Sequence, residues 1–371
     1  MAIIARTFSS LPGYLKSTIG ALALVGGPVM GRIKDRNGYK TAIIIGQVGS
    51  AAMYGLMSVA HSLPVLFLSR LPALVQHAML CAQAAIADLS STESRATAMG
   101  RLTLSYGVGM VLGSPLGGWL SARAGYHFAA GVAAALTVAV IALDVVLLPA
   151  PSAAATAKTG AKKAGAKKKD GGLDLEKIGT TLRVPAVRDL VLFSVMAGLG
   201  VSMFRAMFSL FAADQFHMTA EDLGYYMSFS GQVGVVANAF LVDPVVAHLG
   251  DFWSLVAAAG CASVGYACYG FAQTYSQLLA VTAPTSTCNA LLYVFTGALM
   301  TKVVPEAVSG TAISLSHSSR ALNSIVAPVM GGYVYTHFGF PHLCLIACAT
   351  TACATAYLAV HGRRTLDTTK K

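Results

Sequence analysis

Eleven apolar segments, each long enough to cross a lipid bilayer as a helix, constrain the fold of this chain more than any other feature. A spanning helix needs about 20 apolar residues. Of the 371 residues, 55% are hydrophobic and only 11% are charged, whereas an ordinary soluble domain has about 25% charged residues. The segments are too long for barrel strands, so we predict an all-α polytopic membrane protein. The predicted spans are 13–33, 41–60, 65–87, 98–120, 127–148, 189–211, 223–244, 253–272, 277–300, 309–335 and 341–360.

One connection is much longer than the others and separates two groups of spans. Residues 149–188 contain PAPSAAATAKTGAKKAGAKKKDGG, a composition that cannot form a packed core. A basic run of this kind suits nucleic acid or anionic lipid, and its attachment to membrane helices favours anionic lipid. The predicted domains are an N-terminal transmembrane half (1–148), a basic linker (149–188), a C-terminal transmembrane half (189–362) and a tail (363–371).

The positive charges lie mainly on one side of the predicted spans. Counting loops alternately, one side carries twenty of the 26 Lys and Arg residues, including those of the linker and the tail. The positive-inside rule makes that side cytoplasmic. The net charge of +11 therefore indicates membrane orientation, and we predict no nucleic-acid partner. We expect a multi-pass protein of the plasma membrane rather than of an internal membrane, with the linker and the C-terminus in the cytoplasm.

The two groups of spans are related by an internal repeat. Residues 94–126 align with 309–340 at an offset of 214 residues. This alignment pairs Gly117–Gly118 with Gly331–Gly332 and Gly125 with Gly339. A weaker match pairs Gly250 of VAHLGDF with Gly38. Two similar halves joined by a linker are typical of transporters built from parallel repeats.

The charged hairpin GRIKDRNGYK (31–40) gives the resemblance to a known family. It resembles the G-x-L-x-D-R-x-G-R-K loop of the major facilitator superfamily, with Tyr39 in place of the usual Arg. GVGMVLGSPLGG (107–118) resembles the antiporter motif of that superfamily's fifth helix, with its proline one place late. The resemblance implies two pseudo-symmetric helical halves. It also implies twelve helices, of which we expect eleven here, because the span before the hairpin corresponds to the second family helix.

The resemblance implies a gating role for the hairpin. The residues that match the family motif, with Tyr39 excepted, are Gly31, Asp35, Arg36, Gly38 and Lys40. We expect Gly31 to let neighbouring helices approach closely, and Asp35 to lie near the start of the span at 309–335, where a helix dipole favours an anion. The alternative is a simple turn whose Lys and Arg residues only anchor the cytoplasmic side of the spans. This alternative explains the cations of the hairpin, but it explains Asp35 less well.

Polar residues inside the apolar spans are the candidates for a substrate cavity, because each is costly in lipid. Arg70 and His77 lie seven residues apart in one predicted helix, and Asn289 and Tyr293 lie four apart. The alternative for each is a packing or snorkelling role. The candidate set is Arg70, His77, Arg205, Asn289, Tyr293 and Arg320.

A third candidate set is a helix-packing motif in GVGMVLGSPLGG. Glycines four residues apart form a groove for tight helix contact, and a proline adds a kink. The set is Gly109, Gly113, Pro115, Gly117 and Gly118. The alternative is a purely structural packing role. Tight packing is, however, also the means by which such a helix could rock against its neighbours.

We expect a secondary active transporter of a small organic solute, an organic cation or drug-like compound, that works by proton-coupled antiport. The sequence lacks a nucleotide-binding loop, and its seven cysteines show no metal-like spacing. We therefore predict no enzyme activity, catalytic residue, metal or cofactor. The alternative is a transport-inactive scaffold or receptor of the same fold that binds partners through its Lys-rich loop.

Overall fold

The structure is a computed structural model, and it describes residues 2–89, 95–148, 183–302 and 306–362. These residues form ten α-helices, one short 3-10 helix and one π-helical turn, with no strand among them. The helices are α1 (Ala2–Ser58), α2 (Leu63–Leu68), α3 (Ala78–Leu89), α4 (Arg95–Leu147), α5 (Pro185–Phe216), α6 (Ala220–Phe240), α7 (Val242–Tyr269), α8 (Tyr275–Lys302), α9 (Glu306–Phe338) and α10 (Phe340–Tyr357). The 3-10 helix is Leu71–Leu74, and the π-helical turn is Leu358–Gly362.

Four glycines interrupt or begin these helices with one shared backbone conformation. The φ/ψ angles are 85°/167° at Gly38, 83°/163° at Gly125, 72°/164° at Gly250 and 82°/175° at Gly339. Only glycine adopts this region readily. They are the two pairs matched by the internal repeat, Gly38 with Gly250 and Gly125 with Gly339. Gly38 divides α1 and Gly125 divides α4, each at a loop that the sequence predicted between two spans.

The apolar character of the predicted spans is uneven. Among the described residues, seven segments are long and apolar enough to cross a membrane. One of them, Leu104–Leu147, covers two predicted spans that meet at Gly125. The predicted spans 13–33, 223–244 and 309–335 are helical but are not among the seven segments found in the described residues; all three contain Ser and several Gly residues. Small and polar residues of this kind are typical of helix faces that pack against other helices.

The predicted span 65–87 is not one continuous helix. The structure ends α2 at Leu68, forms the 3-10 helix over Leu71–Leu74 and begins α3 at Ala78. Pro72 lies at the start of the 3-10 helix. Proline has no N–H to donate and its ring clashes with the preceding turn, so an α-helix through this position is disfavoured.

The chain separates into two compact units, of which one comprises residues 18–108 and 119–174. In this unit the second part of α1 packs against the interrupted segment around the 3-10 helix. Gly46 lies against Ala78, and Gly49 lies against Val75. The small core consists of Met30, Tyr39, Ala42, Ile43, Cys81 and Ala85.

The other unit comprises residues 1–17, 109–118 and 175–371. Within it, α5 packs against α9 and α10, while α7 packs against α8 and α10. Aromatic rings fill the core near one end of α5, where Phe211 stacks on Phe340 with ring centroids 3.4 Å apart. Thr219 and Asp222 form a capping box that starts α6, which fixes the turn between α5 and α6.

Candidate functional site

The predicted gating hairpin is a sharp turn whose last cation caps another helix. Gly38 makes the turn, and the ammonium of Lys40 donates hydrogen bonds to the carbonyls of Val145 and Leu148, both at 2.7 Å. These carbonyls end α4, where a helix leaves its acceptors without internal partners. Arg36 is exposed. The side chain of Asp35 lies outside the described part of the structure, and so do the side chains in the first turns of α9, which we expected it to approach.

The close approach of helices predicted at Gly31 is not found among the described residues. No described atom lies within 4 Å of a Cβ built on Gly31. A tight contact of the same predicted span falls instead at Gly26, which lies against the Leu74 carbonyl and the His77 ring.

Arg70 and His77 do not share a face of one helix, because the predicted helix is broken between them. Arg70 precedes the 3-10 helix and donates from a guanidinium nitrogen to the sulfur of Met57 at 3.4 Å. His77 lies in the turn before α3. The Nε atom of Arg70 and the Nε2 atom of His77 are buried and have no hydrogen-bond partner among the described residues. Buried polar groups usually have hydrogen-bond partners, so these two atoms mark polar positions inside the unit.

Among the described residues, the tight contact of the predicted glycine motif on α4 falls at Gly118 rather than at the glycines spaced four apart. No described atom lies within 4 Å of a Cβ built on Gly109, Gly113 or Gly117. Gly118 makes the tight contact instead, since its Cβ would lie 2.5 Å from the Ala220 carbonyl and 3.2 Å from the Cα of Gly224. The helix meets α6 on one face, and 3.6 residues per turn place Gly118, rather than Gly117, on it.

Pro115 lies inside α4 and leaves a carbonyl free. Having no N–H, it cannot donate to the carbonyl of Val111, four residues earlier. The hydroxyl of Ser228 on α6 donates to that carbonyl at 2.7 Å. The side chain of Gln232 donates in turn to the Ser228 hydroxyl at 3.2 Å.

A second proline contact joins α1 and α9. Pro328 lies inside α9. The hydroxyl of Ser17 donates at 2.6 Å to the carbonyl of Ile325, three residues before that proline. Next to it, the ammonium of Lys16 donates to the carbonyl of Ala206 at 2.6 Å. Neither contact follows from the spacing of these residues in sequence.

The core of the same unit holds a hydrogen-bonded set of tyrosines. Tyr269 donates to Thr282 at 2.9 Å, and the hydroxyls of Tyr226 and Tyr269 lie 3.3 Å apart. Nearby, Tyr266 donates to the side-chain oxygen of Asn289 at 3.0 Å. Buried hydroxyls need partners, so these bonds join α6, α7 and α8 into one polar layer inside an aromatic core.

Four predicted cavity residues belong to the same unit as this layer. Arg205, on α5, is exposed. Asn289 accepts a hydrogen bond from Tyr266 and lies one helical turn before Tyr293 on α8. The guanidinium of Arg320 lies 4.8 Å from the ring centroid of Tyr293, within the range of a cation–π contact. The structure therefore joins Asn289 to the tyrosine layer and Arg320 to Tyr293.

A pocket at one end of this unit was not predicted. It has a volume of about 540 Å³ and is lined by residues from α5, α9 and α10 and by the turn after α7. The Tyr335 hydroxyl donates to Asp214 at 2.7 Å on its wall. Asp214 is an ordinary helix-end acid in sequence, so no local signal identified it.

The fold and the polar spans define a helical, multi-pass membrane protein with charged groups inside its membrane segments. The chain belongs to the Major Facilitator Superfamily, whose family description matches residues 2–280 and, in a second overlapping match, residues 190–371. This membership confirms the superfamily and the all-α membrane fold predicted from the sequence.

Curated relatives are similar over most of the chain. Solute carrier family 67 member A1 of Homo sapiens is 34% identical over 341 residues, which are 89% of this chain and 78% of the relative. The segments 24–38, 69–91 and 100–118 resemble solute carrier family 22 member 18, and that protein of Mus musculus is 32% identical, over 89% of this chain and 82% of its own length. The class C tetracycline resistance protein of Escherichia coli is 24% identical over 70% of this chain and 64% of its own length.

Solved structures share the fold at low sequence identity. The human organic anion transporter MFSD10 (TETRAN) gives a TM-score of 0.70 at 16% identity, covering 93% of this chain and 83% of that chain. The nucleoside transporter NupG gives a TM-score of 0.75 at 14% identity, covering 95% of this chain and 90% of that chain. These similarities show the fold alone.

Proposed function

We propose that this protein is a secondary active transporter that moves a small, drug-like organic solute by alternating access and exchanges it for protons. The observation that carries the proposal is the set of polar side chains within the apolar helices of one unit: the Tyr266–Asn289 hydrogen bond, the Arg320–Tyr293 contact and the arginine at 205. A charged side chain near the centre of a spanning helix costs about 2.5–3.5 kcal/mol on insertion scales. Such residues usually face a water-filled path or a substrate. The tetracycline resistance relative, by its name, supports a drug-like solute.

The charge of the solute divides this proposal into two forms. An organic cation is the solute that the resemblance implies. An organic anion is the solute that the charges of the described spans favour. Either solute fits the same proposed alternating-access transporter.

Protons are the proposed coupling ion, and two side chains of the unit with residues 18–108 and 119–174 fit this role. The Nε2 atom of His77 and an oxygen of Asp144 are buried without a hydrogen-bond partner among the described residues. A titratable group with a free polar atom can accept or release a proton as its surroundings change. His77 is the candidate we prefer, since it also belongs to the predicted cavity.

The remaining predictions complete the proposal. The two halves on either side of the linker 149–188 would be the moving bodies, and the linker would lie against anionic lipid in the cytoplasm. The plasma membrane is the proposed location. Asp35 would hold the cytoplasmic ends of the halves together in one state of the cycle.

Tetracycline uptake into vesicles tests the proposed function. The full-length chain is reconstituted in liposomes, and tetracycline fluorescence inside them is followed after a pH gradient is imposed. We expect gradient-dependent accumulation that a protonophore abolishes. Folded protein, monodisperse in detergent, that moves neither tetracycline nor a panel of organic ions would support the scaffold or receptor alternative.

The same assay tests the gating role of the hairpin. We expect Asp35→Asn to leave expression and monodispersity unchanged but to slow transport, because the substitution removes the charge of the proposed latch. Lys34→Ala is the control and is expected to have little effect. Wild-type flux in Asp35→Asn would show that the carboxylate has no gating role.

A further inference from the structure

The pocket at one end of the unit with residues 1–17, 109–118 and 175–371 has one charged group on its wall. Its volume is about 540 Å³, within the range of small-molecule sites. Of the eleven described residues that line it, Asp214 alone carries a charge, and no Lys, Arg or His is among them. The Tyr335 hydroxyl donates to the Asp214 carboxylate at 2.7 Å. This neutral donor orients the carboxylate but does not cancel its negative charge.

The ends of three helices add to the negative potential of this pocket. Helix α5 ends at Phe216, α7 at Tyr269 and α9 at Phe338, and each contributes wall residues from its last turn or its C-cap. The C-terminal end of a helix carries a partial negative charge and favours a cation. Helix α10 begins at the pocket, at Phe340, and its positive end offsets one of the three. The pocket therefore favours a positively charged ligand.

Aromatic rings form the apolar part of the same wall. Phe211 and Phe340 are buried and stacked on each other, whereas Phe271, in the turn after α7, is 77% exposed. The face of an aromatic ring attracts a cation, and the ring also packs against apolar groups. An alkylated ammonium ion combines the positive charge and the apolar surface that such a wall matches.

The turn that carries Phe271 is held on both sides. Gly270 lies against the start of α10, since a Cβ built on it would be 3.7 Å from the Cα of Pro341. On the other side, the side-chain oxygen of Gln277 accepts a hydrogen bond from the N–H of Gln273 at 2.8 Å. A wall that is fixed before binding loses less conformational freedom when the ligand arrives.

We propose that this pocket binds a small organic ammonium ion, with its charged group against Asp214 and its apolar groups against the aromatic wall that includes Phe271. The site is separate from the polar side chains that carry the proposed function, because none of those residues lines the pocket. The inference goes beyond that function, since binding here does not require that the bound ion be the transported solute.

Two matched probes test the charge of the ligand. Benzyltrimethylammonium and benzenesulfonate carry the same ring with permanent, opposite charges, so pH does not alter them. Binding of each radiolabelled probe to the purified full-length protein is measured in detergent. We expect saturable binding of benzyltrimethylammonium and binding of benzenesulfonate that is weaker by about tenfold or more.

A charge variant locates the bound cation. Asp214→Asn removes the negative charge and keeps an acceptor for the Tyr335 hydroxyl, so we expect it to weaken benzyltrimethylammonium binding about tenfold or more. Glu221→Gln is the matched control. Glu221 lies in the first turn of α6, which follows α5 after a short turn, and it does not line the pocket. Its substitution should leave the affinity unchanged.

An aromatic variant tests the wall independently of the charge. Phe271→Ala removes an exposed ring, so folding should not depend on it, and we expect binding about two- to fivefold weaker. Phe240→Ala is the control, since Phe240 is 71% exposed and lies outside the pocket. If Asp214→Asn does not fold, this second pair decides.

Three results would overturn the inference. The first is wild-type protein without saturable binding of benzyltrimethylammonium. The second is equal binding of both probes, which would indicate an apolar pocket that takes a lipid or detergent chain. The third is an effect of the pocket variants no larger than that of their controls. Each leaves the transport function to be decided separately by tetracycline flux.

Discussion

The hydroxyl of Ser228 donates a hydrogen bond of 2.7 Å to the carbonyl of Val111, the acceptor that Pro115 leaves without its usual helical donor. A side chain of α6 therefore replaces a backbone bond that α4 cannot form. In a helix that spans a membrane this replacement matters, because an unpaired carbonyl in a medium without water is costly.

A double-mutant cycle tests this compensation. Ser228→Ala should lower stability by about 1–3 kcal/mol, because the carbonyl of Val111 is left unpaired. In the Pro115→Ala background the restored N–H pairs with that carbonyl, so the same serine substitution should cost much less. The measurement is the apparent midpoint of thermal denaturation in detergent for the four proteins. Equal costs in both backgrounds would show that the hydroxyl does not act through Pro115.

The contact of Gly118 with α6 predicts a difference between adjacent glycines. Gly118→Ala should destabilise the protein and slow transport, since its Cβ would lie 2.5 Å from the Ala220 carbonyl and the helices must move apart. Gly117→Ala should be tolerated, because no described atom lies within 4 Å of its Cβ. Thermal stability and tetracycline flux of the two variants give the comparison. Greater damage from the Gly117 substitution would favour the four-spaced groove.

The shared glycine conformation predicts a second contrast within α7. Gly250→Ala should cost on the order of 1–3 kcal/mol, because φ is 72° there and a side chain makes that region strained. The comparison is Gly260→Ala, because Gly260 lies in the helical part of α7 and no described atom is within 4 Å of a Cβ built there. It should be neutral or slightly stabilising, since alanine favours a helix. Thermal denaturation in detergent compares the two. A neutral Gly250→Ala would mean that the turn does not require glycine.

The hydrogen bonds of Lys40 predict a structural role for this motif cation. Lys40→Ala should lower stability by about 0.5–2 kcal/mol, because the last carbonyls of α4 lose a donor and a favourable charge. Arg36→Ala, at an exposed residue of the same hairpin, is the control and should have little effect. Limited proteolysis near residue 148, together with thermal denaturation, would detect the loosened helix end. Equal effects of both substitutions would indicate a general loss of positive charge.

Several parts of the fold could be predicted because their causes are local. Stretches of about 20 apolar residues indicate helices wherever the chain folds, and Gly38 and Gly125 mark the turns between them. The repeat pairs Gly38 with Gly250 and Gly125 with Gly339, and the structure gives all four the same conformation. The charges in the spans, Arg205 and Arg320 among them, stand out because lipid makes them costly.

Other features depend on which helix faces meet, and no local pattern contains that information. Apolar length predicted a continuous helix over 65–87, yet the chain breaks around Pro72 and separates Arg70 from His77. Glycine spacing predicted contacts at Gly109, Gly113 and Gly117, whereas the rotation of α4 against α6 selects Gly118.

The amino-acid sequence by itself determined the class of fold, the positions of the turns and the residues that carry charge into the membrane. Only the tertiary structure decided the partners of those residues, such as Ile325 for Ser17, 308 positions away, and Tyr293 for Arg320. The physical reason is that helix formation and apolarity are satisfied within about twenty neighbouring residues. A hydrogen bond between helices is instead satisfied by whichever donor the packing brings to the free acceptor.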